Sequence, residues 1–405
     1  MRTPHTFFHS KVRHVFSRTV LAVGLLVFTL LADNGVKGIC ALEVAIPTTD
    51  DDFIHLTILE GLDALYNGNF PDARRIFTEL TQHHPEDARG YFFLALTYRW
   101  LTRIDPGSAA YQELFESAAA HSIRVCKALI DTNQNHADAT LYLAASYGYR
   151  AEYYNFLKHN WKKAYDDGVK MRNYLEKANK FHNKNIDIQF GYALYNYYAY
   201  LYRDQIGWWR FLLSLPKGDR EQGIKTLTML RQNGIYTNVE AWYFLIEIYK
   251  DENATKDQAI ALNEELHQTY PHNPFFHTLL AGVYHKFHDW ENSLRVSREI
   301  ITQAQDHSYY SDYLVYQAKY LIGESLFFLG DYENSLMMFD EIILSQPQQP
   351  RYLLPWSHLR RGTIYHITKH KKHAKEELQV VLNMEDVHDV HKLARALLKQ
   401  LKQKE

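Results

Sequence analysis

Histidine is the side chain in this sequence that most invites a chemical reading. There are 22 of them, so a metal has to be considered. His366 and His370 stand four residues apart, and His388 and His391 stand three apart. Those spacings place two imidazoles on one face of a helix, where they can chelate zinc. A zinc site needs further ligands, and no HExxH motif and no Cys or carboxylate cluster completes either pair. Solvated helix surface is therefore the expected role, and no metal is expected. The run from Lys369 to Lys375 reads the same way, as a basic exposed face. Cys126 lies within SIRVCKALI, the setting of a small buried helix residue rather than of a nucleophile. The sequence has no glycine-rich phosphate loop, no GxSxG and no CxxC. No catalytic residue and no cofactor are expected, and the chain does not read as an enzyme. Asn253-Ala-Thr matches a glycosylation sequon, a triplet that is common by chance.

The remaining candidates are tyrosines and arginines, and they recur. DARGYFFLALTYRW (87–100) aligns with DATLYLAASYGYRA (138–151), which sets Tyr91 over Tyr142, Tyr98 over Tyr149 and Arg99 over Arg150. DIQFGYALYNYYAY (187–200) repeats the pattern. Tyr and Arg carry much of the binding energy at interfaces. With 30 tyrosines in the chain, they could equally pack between helices.

The elements that carry these residues read as helices. The chain has 405 residues, 46% of them hydrophobic, with only 11 Pro and 18 Gly, which favours helices over a turn-rich β protein. A net charge of −2 gives no basic excess, so nucleic acid is not an expected partner. The clearest unit is IGESLFFLGDYENSLMMFDEIILSQP, Ile322 to Pro347. Within it Gly323, Leu326, Gly330, Tyr332, Ser335, Phe339, Ile342 and Pro347 fall at the spacing of a 34-residue helical hairpin. The frame also fits Gly61, Gly68, Phe70, Ala73, Phe77 and Pro85, then Trp242, Leu245, Tyr249, Ala259, Leu266 and Pro271. It returns at Leu280, Ala281, Tyr284 and Trp290, and at Gly362, Tyr365, Ala374 and Leu378. Small residues at the eighth and twentieth positions let two antiparallel helices approach, and the aromatics fill the space to the next hairpin. Between 103 and 235 the period lengthens, with second helices expected over 109–131 and 160–181.

On these residues the chain resembles the tetratricopeptide repeat superfamily over 53–385. The resemblance implies an all-α fold, a right-handed α–α superhelix of about eight hairpins, with a capping helix over 386–405. It also implies a protein or peptide partner on the concave face lined by the first helices. Carrying the frame over residue by residue assigns that groove to Phe92, Leu96, Arg99, Leu143, Tyr147, Arg150, Tyr192, Asn196, Tyr243, Glu247 and Lys250. The chaperone-type carboxylate clamp is not expected, because Ile58 and Leu62 stand where it needs Lys and Asn. The stretch 191–227 is similar to one found in exported bacterial repeat proteins. An envelope scaffold for a protein or peptide is the leading expectation. A glycan-binding or enzyme-accessory module is one rival. A membrane-peripheral protein docking through Trp208-Trp209, in the apolar segment 206–213, is another.

The N-terminus supports export. Arg2, Lys11, Arg13 and Arg18 precede an uncharged run from Thr19 to Ala32, the pattern of a secretory signal peptide over 1–41 followed by a linker over 42–52. The run is shorter than the roughly 20 residues that span a bilayer, with an N-terminal membrane anchor as the alternative if the signal stays uncleaved. Ala32, Gly38 and Ala41 each offer a small residue for cleavage. Lys37 and Ile39 before Cys40 do not make a lipobox. Cleavage would leave a body of charge −6, in the periplasm or at the cell surface.

Overall fold

Leucine, isoleucine and aromatic residues at helical spacing, punctuated by Asn, Asp and Gly, build a chain of hairpins. The computed structural model describes residues 49–181, 185–201, 218–251 and 253–403. The expected signal peptide, residues 42–48 of the expected linker and the segment 206–213 lie outside the described residues. Among those described there are seventeen α-helices and no strand. They are α1 Asp50–Tyr66, α2 Phe70–His83, α3 Ala88–Ile104, α4 Ala109–Thr132, α5 Ala137–Phe156, α6 Trp161–Phe181, α7 Ile188–Leu201 and α8 Arg220–Asn233. Then follow α9 Asn238–Tyr249, α10 Lys256–Thr269, α11 Pro274–Lys286, α12 Trp290–Gln303, α13 Asp312–Leu329, α14 Tyr332–Ser345, α15 Leu353–Ile367, α16 Lys371–Leu382 and α17 Val390–Gln403. Helices pack in sequence order, α1 on α2, α5 on α6, α7 on α8, α11 on α12, α13 on α14 and α15 on α16. The described residues divide into two units, one of 49–100 and 110–245, the other of 101–109 and 246–403.

Closure of each hairpin follows from the small residues. A Cβ added at Gly61 would lie 2.5 Å from Phe77 Cζ, and one at Gly323 would lie 2.9 Å from the ring of Phe339. Gly362 stands in the same relation to Leu378, at 3.0 Å. The second small position bonds back: Ser335 Oγ donates to Gly323 O at 2.7 Å, and Ser293 Oγ to Ala281 O at 3.2 Å. Gly323→Ala is therefore expected to destabilise by about 1–3 kcal/mol through overpacking. Gly282→Ala, in α11 with nothing within 4 Å of its Cβ position, should gain about 0.5–1 kcal/mol from helix propensity. Thermal unfolding of the two variants checks the contrast; equal shifts would remove the close-approach role of Gly323.

The turns are written in the sequence too. Asn69, Asp289 and Asp331 cap the second helices α2, α12 and α14 by accepting from the backbone N–H three residues on. Asp219 does the same for α8. Gly68 and Gly330 supply the positive φ, 79° and 86°, that a Cβ would disfavour. The long second helices appear as expected, at 24 residues in α4 and 21 in α6. Two boundaries move. The first helix starts at Asp50 rather than 53, because Thr49 and Asp52 form a reciprocal capping box. The last starts at Val390 rather than 386, because His388 and Asp389 both take positive φ, 59° and 61°, and the preceding chain is tied down by Trp356 Nε1 donating to Val387 O. Its residues Val390, Ala394 and Leu401 complete the core around Phe339 and Leu378. Cys126 is fully buried in α4, and burial pushes its thiol up to about 12.

Candidate partner-binding site

The groove residues read from the repeat frame lie on α3, α5, α7 and α9, with Lys250 just past the end of α9, and their fates differ. Phe92, Leu96, Leu143, Tyr147 and Tyr243 are each at most 3% exposed. Arg99 is buried and its Nε donates to Glu152 Oε2 at 2.8 Å. Arg150 makes a bidentate pair with buried Asp167, at 2.6 and 2.9 Å. Glu247 is buried and half-buried Lys250 pairs with it. Tyr192 and Asn196 are half-buried. The groove is thus corrected at Phe92, Leu96, Leu143, Tyr147 and Tyr243 and at buried Arg99 and Glu247, since a side chain without surface cannot meet a partner.

The reason is that the protein fills this interior itself. In the N-terminal unit, Trp100 meets Tyr66 edge-on at 5.7 Å and lies 6.4 Å from Tyr243. Buried Glu240 accepts from Trp100 Nε1 at 3.1 Å and from the Tyr66 hydroxyl at 3.3 Å. Phe92 packs on Tyr142 and Tyr149, and Phe93 on Phe77, Tyr142 and Tyr236. Tyr236 in turn hydrogen-bonds His55 Nδ1 at 2.5 Å. Helices α1, α3 and α9 therefore meet through aromatic side chains.

Tyr147 shows what such a residue does. Its ring stacks on Tyr174 at 6.0 Å and 13°, and the cationic groups of Arg150, Lys170 and Lys127 stand 5.3, 5.3 and 6.0 Å from its centre. Tyr147→Ala is expected to lower the melting temperature by several degrees, about what a loss of 1–2 kcal/mol produces. An unchanged melting temperature with loss of a partner would return Tyr147 to the binding surface.

What remains reachable is α7. Tyr192, Tyr195, Asn196 and Tyr198 are half-buried, and Tyr200 and Leu201 are each 37% exposed. Arg172 of α6 sits 5.8 Å over the Tyr195 ring, and the Tyr192 hydroxyl reaches Leu175 O at 3.5 Å. The repeat frame names only four positions of each first helix, so it passed over Tyr195 and Tyr198. The alternation of Tyr along YALYNYYAY was the available signal.

The sequence also missed the buried carboxylates. Asp187 accepts from the backbone N–H of Ile235, Tyr236 and Thr237 at 3.0–3.2 Å and from the Thr237 hydroxyl at 2.6 Å. Burial raises its pKa, partly offset by those hydrogen bonds. Its alignment with Asp87 and Asp138 at the head of each repeat was the visible clue. Neither histidine pair shares a helix face. The helix carrying His366 ends at Ile367, and His370 stands at the start of the next. His388 stacks on Tyr352 at 6.0 Å while His391 Nε2 lies 3.0 Å from Met384 O. Among the described residues no three His, Cys, Asp or Glu side chains converge on a metal-sized site.

Paired antiparallel helices, closed by Gly and Ser and capped by Asn and Asp, define a tetratricopeptide-type helical repeat protein. Residues 58–119 match the tetratricopeptide repeat family, and the all-α hairpin fold of the described residues is of that type. No curated protein matches it in sequence. Among solved structures, the APC/C hetero-tetramer Cut9–Hcn1 is similar over 87% of this chain and 56% of that one, at 12% identity and a TM-score of 0.53. This chain therefore spans little more than half of that relative, and the likeness is one of fold. The human IFIT1 dimer with m7Gppp-AAAA shows 12% identity over 88% of this chain and 87% of that one, TM-score 0.46. Yeast Tom70 shows 11% identity over 84% and 87%, TM-score 0.38. At those scores neither bears on what this chain does. The tetratricopeptide fold is a scaffold for protein–protein interaction, and proteins built on it are generally non-catalytic.

Proposed function

We propose that this chain is an exported scaffold that holds a protein or peptide partner in the bacterial cell envelope, with the tyrosine face of α7 as the docking surface. The observation that carries the reading is the contrast between helices. Helices α3, α5 and α9 bury the aromatic residues at their groove positions, Phe92, Tyr147 and Tyr243, whereas α7 leaves Tyr192 half-buried there, with Tyr195 and Tyr198 half-buried beside it and Tyr200 exposed. Tyrosines offer stacking area at low entropic cost together with a hydroxyl for hydrogen bonding. Arg172 beside them adds charge suited to an extended peptide with acidic or aromatic residues. Export is supported by the basic start and the short apolar run before residue 42. Among the described residues no helix is long and apolar enough to cross a membrane.

The test is a triple variant, Tyr192→Ala, Asn196→Ala and Tyr198→Ala, compared with wild type in capture of partners from envelope extract. Helical content should stay unchanged while capture falls at least about tenfold, the effect of removing two or more hot-spot side chains. A folded variant that captures every wild-type partner would remove α7 from consideration. Retained binding to isolated glycans, with no protein captured, would favour the glycan-binding module instead. Export has its own measurement: the mature protein should begin between Asp33 and Glu43, and an intact Met1 on a cytoplasmic protein would overturn it.

A further inference from the structure

We infer that the turn between α5 and α6, with the first two turns of α6, is a docking patch for an anionic lipid bilayer surface. Trp161, the first residue of α6, is 75% exposed. Tyr165 and Val169 follow at four and eight residues, 41% and 38% exposed, so the three lie on one helix face. At 1.5 Å per residue this apolar stripe is about 12 Å long. Around its head stand Lys158, His159, Lys162 and Lys163, all exposed.

The local charge is positive although the chain as a whole carries −2. Lys158 is engaged, with Gln112 at 2.7 Å and Glu116 at 3.3 Å. Lys162 and Lys163 have no carboxylate partner among the described residues; Lys163 rests 4.7 Å over the Tyr154 ring. Of the acids on α6 itself, Asp167 is buried and neutralised by Arg150 and Lys170. Asp166 stands exposed beside the stripe, and Glu116 is the acid taken up by Lys158.

A tryptophan that stands out of the surface, ringed by lysines and followed by a tyrosine, matches the chemistry of the headgroup region. The indole and the lysine stems sit at the acyl boundary while the ammonium groups reach phosphate. A protein partner would have to enclose Trp161 in a pocket of its own, and this side offers the partner a ridge only two turns long. The inference is independent of the α7 face, because it uses other residues on another helix.

The full chain is mixed with vesicles of phosphatidylcholine alone, or of phosphatidylcholine with phosphatidylglycerol, and sedimented. Wild type should bind the anionic vesicles, bind the neutral ones weakly, and be released as salt shortens the Debye length. Lys162→Glu with Lys163→Glu should cut binding by at least about tenfold, since it replaces two attracted charges with two repelled ones. Trp161→Ala should weaken binding, and Trp161→Phe should restore part of it. All of these positions are exposed, so circular dichroism should be unchanged for each variant. Failure of wild type to bind anionic vesicles overturns the inference, as it would if the patch served an acidic protein. Undiminished binding by the variants also overturns it, because attachment would then run through another segment such as Trp208-Trp209.

Discussion

Phe339→Ala is expected to destabilise the C-terminal unit by about 3–5 kcal/mol, the cost of a large cavity in a packed core. Phe339 is fully buried in α14 and lies edge-on to Tyr320 at 5.9 Å. Its ring occupies the space that Gly323 leaves by having no side chain. The same cluster contains Leu353, Leu359, Ile364 and Leu378, contributed by the next hairpin. No neighbour can fill the hole, because Gly323 has nothing to extend and α15 is held by its own contacts. Repeat units couple mainly to their neighbours. Amide exchange should therefore show α13 to α16 losing protection first, with α1 to α4 little changed. Uniform loss along the chain would count against a repeat array.

Glu324→Gln is expected to cost about 3–5 kcal/mol, because it strands a buried guanidinium. Glu324 takes both arms of Arg360, with the Nη2–Oε2 arm at 2.8 Å, and His285 Nε2 lies 3.6 Å away. The guanidinium is roofed by Phe327, Phe328 and Trp356 at 5.0, 5.2 and 5.8 Å, so water cannot replace the lost partner. The paired replacement of Glu324 and Arg360 by Met should recover most of the loss, since a buried ion pair and an apolar pair of similar volume are often nearly equivalent. Chemical denaturation of the single and double variants measures the difference. A single variant as stable as wild type would mean the pair is not buried in solution.

The same site sets part of the pH dependence. Burial pushes the Glu324 carboxyl up, but Arg360 and His285 more than offset it and hold the group at about 2, below its ordinary 4.5. Its contribution is therefore complete above pH 4.5 and is lost as pH falls towards 2. His277 acts in the same direction. Burial, with His267 stacked on it at 4.5 Å, lowers it from 6.5 to about 3. The unfolded chain binds that proton below pH 6.5 and the folded one does not, so stability falls as pH drops from 6.5 to 3. An acid titration followed by circular dichroism should show this loss, and Glu324→Gln should flatten its lower part.

The legible part of this protein is the part decided within one hairpin. Gly323 and Phe339 are sixteen residues apart, and so are Gly61 and Phe77; a fixed helical rise and a short turn bring each pair together wherever the hairpin sits. Asp331 caps α14 from the residue before it. Such contacts depend on spacing alone, so the sequence determined the helices, their pairing and the small residues that close them. It also determined that Cys126 would be a core residue. What the spacing could not decide was which aromatic faces stay open. Tyr147 and Tyr192 occupy equivalent faces of successive first helices, yet one is covered by Tyr174 and three cations and the other is half-buried. Tyr243 is closed off by Trp100, and Tyr66 is bonded to Glu240, contacts across more than a hundred residues. Periodicity states which side chains share a face; only the tertiary structure brings a distant helix to cover that face or leaves it to water.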